Sequence, residues 1–533
     1  MKNKVFSFIN VFGLSIGLTC CMLIAIYISH ETSYDSYHKN IKQLYQLGTI
    51  FMKEGKNERT PNTPAPMAEA MKREFPEIEE TARLMALFAE DKTLLQYKKE
   101  NAPLKSFYET KGFMADSTLF KLFSYNFIEG DPATCLNNPN TVVLSDDIAH
   151  KLFGNEPALN QVIHISSNTN GDTDFVVTGV FKPIESPSQI DASFFISIKG
   201  GQMEQFIRQQ TDMVGNNMFS TFFLLTPGSN SKNLEAKFPA FVEKYIGEGL
   251  RKAGFYRKQF LLPVRDMHLR AGMTNDISAT GSMTYLYILA SIAVFTLLIA
   301  CINFMNLSTA RSSKRAAEVG VRKVLGAERS SLIRQFLGES ILLSIIAFVL
   351  ALVFTELLLP SFSSISGKDL FFSVEQEYVL LGGFLLLAIA TGLLAGSYPA
   401  FYLSSFKPVK VLKGRISNSL AAVSFRKILV VVQFVISVVL IIASVIINNQ
   451  MKYMRNKDLG FAKDQQIIIP LRSTNAKNIY LPLKNKVQSN PQVINTGATL
   501  YYPGMVNPSD MGLYKEGIET VRSVGYRFNE RAL

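Results

Sequence analysis

Cysteine and histidine are scarce in this chain of 533 residues, which holds four of the first and five of the second. Cys20, Cys21 and Cys301 fall inside long apolar runs, leaving Cys135 alone outside them. No disulfide framework can therefore form within the chain, and any domain outside the apolar runs must hold itself by its own core. Five scattered histidines support neither a Ser/His/Asp nor a Cys/His nucleophile. The segment HETSYDSYHKN (30–40) comes nearest to a metal site, with His30, Tyr34 and His38 on one helical face and Asp35 nearby. Metal sites need three or four convergent ligands, so this segment reads instead as a helix continuing out of the first apolar run with its polar groups in water. A nucleotide-binding P-loop is missing as well. Gly55-Lys56 continues with Asn57, and Gly367-Lys368 with Asp369, neither with the required upstream glycine. No catalytic, cofactor-binding or metal-ligating residue is assigned.

Apolar length is what the chain has in abundance. Hydrophobic residues make up 47% of it, against a formal charge of +12. Five segments pass the length test for about 30 Å of hydrocarbon, which takes roughly twenty apolar residues. They are Val5 to Ile28, Met283 to Ala310, Leu332 to Leu359, Tyr378 to Leu403 and Ile428 to Ile447. The apolar run of the first continues past Cys21 without a small-x-small cleavage site, so it reads as an uncleaved anchor.

Charge sets the expected orientation. Arg311, Lys314, Arg315, Arg322, Lys323, Arg329 and Arg334 lie between the second and third runs, and Lys407, Lys410, Lys413, Arg415, Arg426 and Lys427 between the fourth and fifth. The segment 360–377 between the third and fourth offers only Lys368. By the positive-inside rule both basic loops and the N-terminus, with Lys2 and Lys4, are cytoplasmic. The positive charge thus reports topology, and nucleic acid is excluded as a partner.

Residues 30–282 are then extracytoplasmic. Candidate strands there are NTVVLS (140–145), QVIHIS (161–166), DFVVTGVF (174–181), FFISI (194–198), STFFLLT (220–226) and FLLPV (260–264). Helical spacing appears over Met67–Phe75, Ser145–Phe153 with Ser145 as N-cap, and Lys232–Tyr245. Phe120, Phe123 and Phe127 form an aromatic stripe at helical spacing, read as core. The fold class is an α-helical transmembrane bundle with a large α+β extracytoplasmic domain, which the length suggests is two subdomains. The segments divide as a first transmembrane helix (1–29), the external domain (30–282), three spans with their loops (283–404), a basic cytoplasmic linker (405–427), a fifth span (428–447) and the start of a second external domain (448–533). This last part looks like the beginning of a second copy of the first.

Between two spans lies RSSKRAAEVGVRKVLGAERSSLIRQF (311–336), with seven basic residues and two acidic ones. Ala317, Val321, Val324 and Leu325 follow one helical face, Glu318 and Arg322 make an i, i+4 pair, and Gly326 is placed to end the helix. Such a helix can rest on anionic headgroups or fit a groove in a soluble partner, and periodicity leaves both open. Inside the spans, Gly13-x-x-x-Gly17 and Gly392-x-x-x-Gly396 put small residues on one face for close helix packing.

The segment AAEVGVRKVLGAERSSLIRQFLGESILL, with AGSYPAFYLSSFKPVKVLKG (395–414) and FRKILVVVQF (425–434), resembles the permease subunits of the MacB/FtsX-type ABC transporter family, in its larger two-repeat version. External segments such as FSYNFIEGDPATCLNNPNTVVLSDDIAHKLFG (123–154), DFVVTGVFKP (174–183) and LLPVRDMHL (261–269) are similar to that family's periplasmic domain. The resemblance implies that a coupling helix, about 314–327, docks on a separate ATPase subunit through Glu318, Gly320, Arg322, Lys323, Gly326 and Ala327. ATP and Mg would then belong to that partner and no cofactor to this chain. It implies a multi-pass protein of the bacterial inner membrane that passes ATP-driven motion to its periplasmic domain, with lipid around it and a periplasmic adaptor or outer-membrane channel as further partners. Export or extraction of a drug, peptide or lipoprotein is the expected function; the alternative is an FtsX-like transmitter that regulates a cell-wall hydrolase. The family also leads one to expect a basic amphipathic segment ahead of the first span and three further spans in the second half.

Overall fold

The structure, a computed structural model, describes all residues except 1–3, 54–55, 88–91, 168, 184–185, 255, 274–276, 311, 373–377, 406–419, 459–465, 472–477, 499–510, 514–521 and 525–533. Chain contacts divide it into two compact units, Met1–Thr32 with Met283–Gln466, and Ser33–Ser282 with Ile467–Leu533. In chain order the helices are α1 Lys4–Thr32, α2 Ala65–Glu74, α3 Leu119–Leu122, α4 Asp146–Phe153, α5 Gly201–Gln209, α6 Ser231–Glu235, α7 Phe238–Ala253, α8 Met267–Arg270, α9 Met283–Ala310, α10 Ser312–Val324, α11 Arg329–Ser366 and α12 Tyr378–Ser404. Two further helices are Leu420–Asn456 and Tyr480–Gln488.

Five of these helices, α1, α9, α11, α12 and Leu420–Asn456, are long and apolar enough to cross a membrane. Leu14, Leu18 and Met22, four residues apart on α1, pack with Ala300, Cys301 and Phe304 of α9, Ala347, Phe348 and Ala351 of α11, and Ala388 and Ala395 of α12. Small residues bring the backbones together. A Cβ on Gly17 would lie 2.9 Å from Ala300 Cβ, one on Gly392 2.9 Å from Ile341 Cα, and one on Gly396 2.5 Å from Ser340. Gly13 is looser, 3.6 Å from Asn303 Nδ2. The Ser344 hydroxyl donates to Ala388 O (2.6 Å), satisfying a buried polar group across the same α11–α12 seam. Val431, Val438 and Ile442 of Leu420–Asn456 are exposed, as lipid-facing side chains are.

The external unit is built on one mixed sheet. Its strands are β1 Leu44–Lys53, β2 Lys56–Thr60, β3 Asn62–Thr63, β4 Ile78–Ala86, β5 Thr93–Tyr97, β6 Lys105–Glu109, β7 Gly112–Ala115, β8 Asn126–Gly130, β9 Thr141–Ser145, β10 Val162–Ser167, β11 Gly171–Lys182, β12 Phe194–Ser197, β13 Phe219–Leu225 and β14 Tyr256–Pro263. They pair in the order β14-β1-β13-β4-β7-β12-β9-β11-β10-β5-β6, with β2, β3 and β8 added beside β1, β13 and β11. Only β9–β11 and β7–β12 are parallel. Successive side chains of a strand point to opposite faces, and here both faces are covered. Val142 and Leu144 enter one apolar cluster and Val143 another; Phe194 and Ile196 divide from Phe195 in the same way. Phe223 and Leu225 enter a third cluster, under α2 and α7. Uninterrupted runs such as FFISI and STFFLLT are apolar because they are buried twice over.

The six expected strands all form. Several other expectations change. The two subdomains share one sheet, since β4 and β7 pair across the middle of it. Lys232–Tyr245 is not one helix: Pro239, which cannot donate an intrahelical hydrogen bond, sits in the first turn of α7 and separates it from α6. Ser145 takes the N-cap position of α4 with extended backbone but makes no side-chain capping bond. The aromatic stripe is not helical, because α3 is a single turn ending at Leu122 and Phe127 lies on β8; the residues are core nonetheless, with Phe120 edge-on to Phe127 (4.9 Å) and Phe123 to Phe222 (4.9 Å). Nor does a helix continue through 30–40. α1 stops at Thr32, and a turn follows in which Asp35 takes φ 55°, so His30, Tyr34 and His38 share no helical face.

Candidate partner-docking site

α10 is held at the ends of α11 and α12. Val319, 2% exposed, plugs into a small cluster with Leu332 and Phe336 of α11 and Ala400 and Leu403 of α12. Gly320 beside it is buried. Two cations that face a partner in the sequence reading are engaged within the chain. The Arg322 guanidinium donates to Gln335 Oε1 and to Glu318 Oε1 (2.7 Å), and Lys323 Nζ donates to Ser404 O at 2.6 Å. Arg329 Nε also reaches Ser404 Oγ (3.5 Å). The Lys323 bond satisfies one carbonyl of the last turn of α12, and with the Arg322–Gln335 bond to α11 it fixes the rotation of α10 about its axis.

The helix ends as Gly326 predicts. Gly326 has φ 94°, its N–H donates to Lys323 O, and Ala327 N–H donates to Arg322 O (2.9 Å), the two bonds of a Schellman ending. A side chain at Gly326 would strain this turn even though nothing crowds it. The rigid turn presents a bare apolar surface. Val321 is 50% exposed, Val324 62% and Leu325 81%, with Glu318 beside them.

Of the six residues named from the resemblance, Glu318 and Gly326 are exposed, Ala327 is half-buried, Gly320 is buried, and Arg322 and Lys323 are half-buried with partners of their own. Val321, Val324 and Leu325, not among the six, face outward as well. Their spacing marks them in the sequence as one apolar face; what the sequence does not reveal is that Val319, off that face, is the residue the bundle buries. Ala317 is not among the residues whose side chains are described.

Elsewhere the structure joins what the sequence leaves apart. Lys368, the single cation of 360–377, lies 3.1 Å from Glu31, whose side chain is only 3% exposed at the end of α1. In the external unit, burial pushes the Cys135 thiol up to about 12. Among the described residues no three His, Cys, Asp or Glu side chains gather as a metal site.

Two family descriptions match the chain: a MacB-like periplasmic core domain over residues 7–241 and an FtsX-like permease C-terminal domain over residues 290–408, the latter holding α10, α11 and α12. The macrolide export ATP-binding/permease protein MacB of Bdellovibrio bacteriovorus is 26% identical over 282 residues, 51% of this chain and 38% of that protein. MacB of Bradyrhizobium diazoefficiens is 31% identical over 149 residues, 26% of this chain and 21% of that one. An uncharacterized ABC transporter permease of Methanocaldococcus jannaschii is 23% identical over 280 residues, covering 52% and 63%. The match spans less than two thirds of the length of each, and under two fifths of the two MacB proteins. Among solved structures, the periplasmic region of MacB from Actinobacillus actinomycetemcomitans aligns with 40% of this chain and 87% of its own at 16% identity and a TM-score of 0.26, a score that carries no argument.

Proposed function

The chain belongs to the MacB/FtsX-type ABC transporter permeases, and from that premise we propose that it is a membrane subunit through which a partner ATPase moves the external domain. ATP and Mg bind on the partner; this chain contributes the docking surface, the spans and the external unit. α10 and the basic loops face the cytoplasm of the cell whose inner membrane holds the protein, and the sheet domain faces outward. The moving external domain exports or extracts a drug, peptide or lipoprotein, with an adaptor or outer-membrane channel as a further partner.

The observation that carries this reading is the rigid, solvent-facing triplet Val321, Val324 and Leu325 on a helix anchored to two spans. Burying such side chains in a partner's groove contributes about 1.5–3 kcal/mol each when burial is complete. Their anchor, Val319 with the Lys323–Ser404 bond, passes displacement of α10 directly to α11 and α12. A lipid-surface anchor would also bury apolar side chains, but it gains nothing from fixing the helix rotation by internal hydrogen bonds.

The test is affinity purification of the full-length protein in detergent, comparing wild type with Val321→Glu plus Leu325→Glu. A P-loop ATPase is expected to copurify with wild type and to fall at least about tenfold in the variant, because charges replace the apolar contact. An ATPase retained unchanged by a folded variant contradicts the docking surface, and its absence from wild type contradicts the permease reading. Gly326 is avoided because substitution there perturbs the helix ending itself.

A further inference from the structure

The segment 30–40, where the sequence tempts a metal reading, carries buried polar groups that bond to distant stretches of the external unit. Asp35, three residues after α1, is 1% exposed. Its Oδ1 accepts from Ser188 Oγ (2.7 Å) and Gln189 N–H (3.1 Å), while its own N–H donates to Pro187 O (3.0 Å). Gln189, fully buried, donates from Nε2 to Ser278 O (3.1 Å) and faces His268 Nδ1 with Oε1 (3.1 Å). Because a carbonyl oxygen only accepts, His268 carries its proton on Nδ1. Tyr34 stacks on the His268 ring at 3.5 Å, and His268 O accepts from Gly281 N–H (2.8 Å), two residues before α9. His38, 3% exposed, accepts from Ser124 N–H on Nδ1 (3.1 Å), so its Nε2 bears the proton and points at Asp35 Oδ1 from 3.7 Å.

These contacts tie together three stretches distant in sequence: the connection arriving from α1 (33–41), the 187–190 turn, and the connection leaving toward α9 (264–282). We propose that they form a polar clasp, and that the clasp is the element of the external unit that opens when its two connections are drawn apart. This rests on the reading that motion passes to the external domain. One feature of its bonding sets the clasp apart from the apolar clusters of the sheet. Its hydrogen bonds can be replaced by water on opening, whereas the apolar clusters of the sheet have no such substitute. A cavity of about 220 Å³, lined in part by Gln189, Ser278, Asp191 and Lys111, lies beside the clasp. Closed, the bonds to Asp35 and Gln189 are made within the chain; on opening, water takes their place.

Hydrogen exchange on the full-length protein in lipid nanodiscs tests this without any ATPase, so it can fail while ATPase copurification succeeds, and the reverse. Wild type is expected to exchange at 33–41, 187–190 and 264–282 as one group, at least about tenfold faster than β9, β12 and β13. Asp35→Ala is expected to raise exchange in all three segments together by about tenfold more while those strands keep their protection. Ser188→Ala, which removes one donor and no charge, is expected to do the same to a smaller degree. If either variant loosens only its own segment, or if Ser188→Ala lowers protection across the whole sheet, the three segments are not a separate joint and the proposal is overturned.

Discussion

Single residues in this protein are set by burial more than by chemistry. Cys135 is the clearest case. Alone outside the spans, it is 4% exposed, and burial raises its thiol from the usual 9.0 to about 12. The thiolate fraction near pH 8 is then lower by about a thousandfold than for a free thiol, since only the thiolate is nucleophilic. Iodoacetamide at pH 8 is therefore expected to leave Cys135 unmodified in the folded protein and to label it after denaturation, as read by peptide mass spectrometry; rapid labelling of the native chain would refute its burial. The sign for stability follows from the raised value. The neutral thiol is fully compatible with the fold below pH 9, and stability is lost as pH rises from 9 through about 12, where the unfolded chain ionises and the folded one does not.

At the scale of elements, close packing and helix endings were readable and orientation was not. The spacing of Gly392 and Gly396 is visible in the sequence, but the partner is not; the structure sets Gly392 against Ile341 of α11 and Gly396 against Ser340. Backbone atoms cannot yield as a side-chain tip can, so Gly392→Val is expected to separate α11 from α12 and destabilise the bundle by about 1–3 kcal/mol. Lower thermal stability in detergent, with Gly382→Ala as a control where nothing lies within 4 Å, checks it; equal melting of both variants would contradict the tight seam. The strands β9 to β13 announce themselves through β-branched and aromatic runs, whereas β1 and β4 do not. LYQLGTIFMK carries a buried Gln46 and a Gly48 whose missing Cβ makes room for the Phe260 ring, and IEETARLMA hides Arg83 against Asp116. A buried arginine whose carboxylate partner lies beyond a distant strand looks like surface when read alone. The same blindness concealed which way α10 turns, because a helix with one apolar face and one extra valine gives no sign which of them its own chain will cover.

Over the whole molecule, five apolar helices and the α+β character of the external unit follow from hydropathy and residue type, and the family from motifs spread along the chain. Tertiary partners decide the rest: one sheet where length suggested two subdomains, a polar clasp where spacing suggested a helix, and an outward-facing Val321–Val324–Leu325 surface beside the exposed Glu318 and Gly326. That surface is where the partner ATPase is expected to dock. The most direct measurement places a photo-crosslinking amino acid at Leu325 of the full-length protein in its native membrane, with a second copy of the experiment at Ile365, which is 84% exposed near the opposite end of α11. A crosslink to a P-loop ATPase from position 325 and not from 365 is the predicted result. Crosslinking from 325 only to lipid, or equally to the ATPase from both positions, would contradict it.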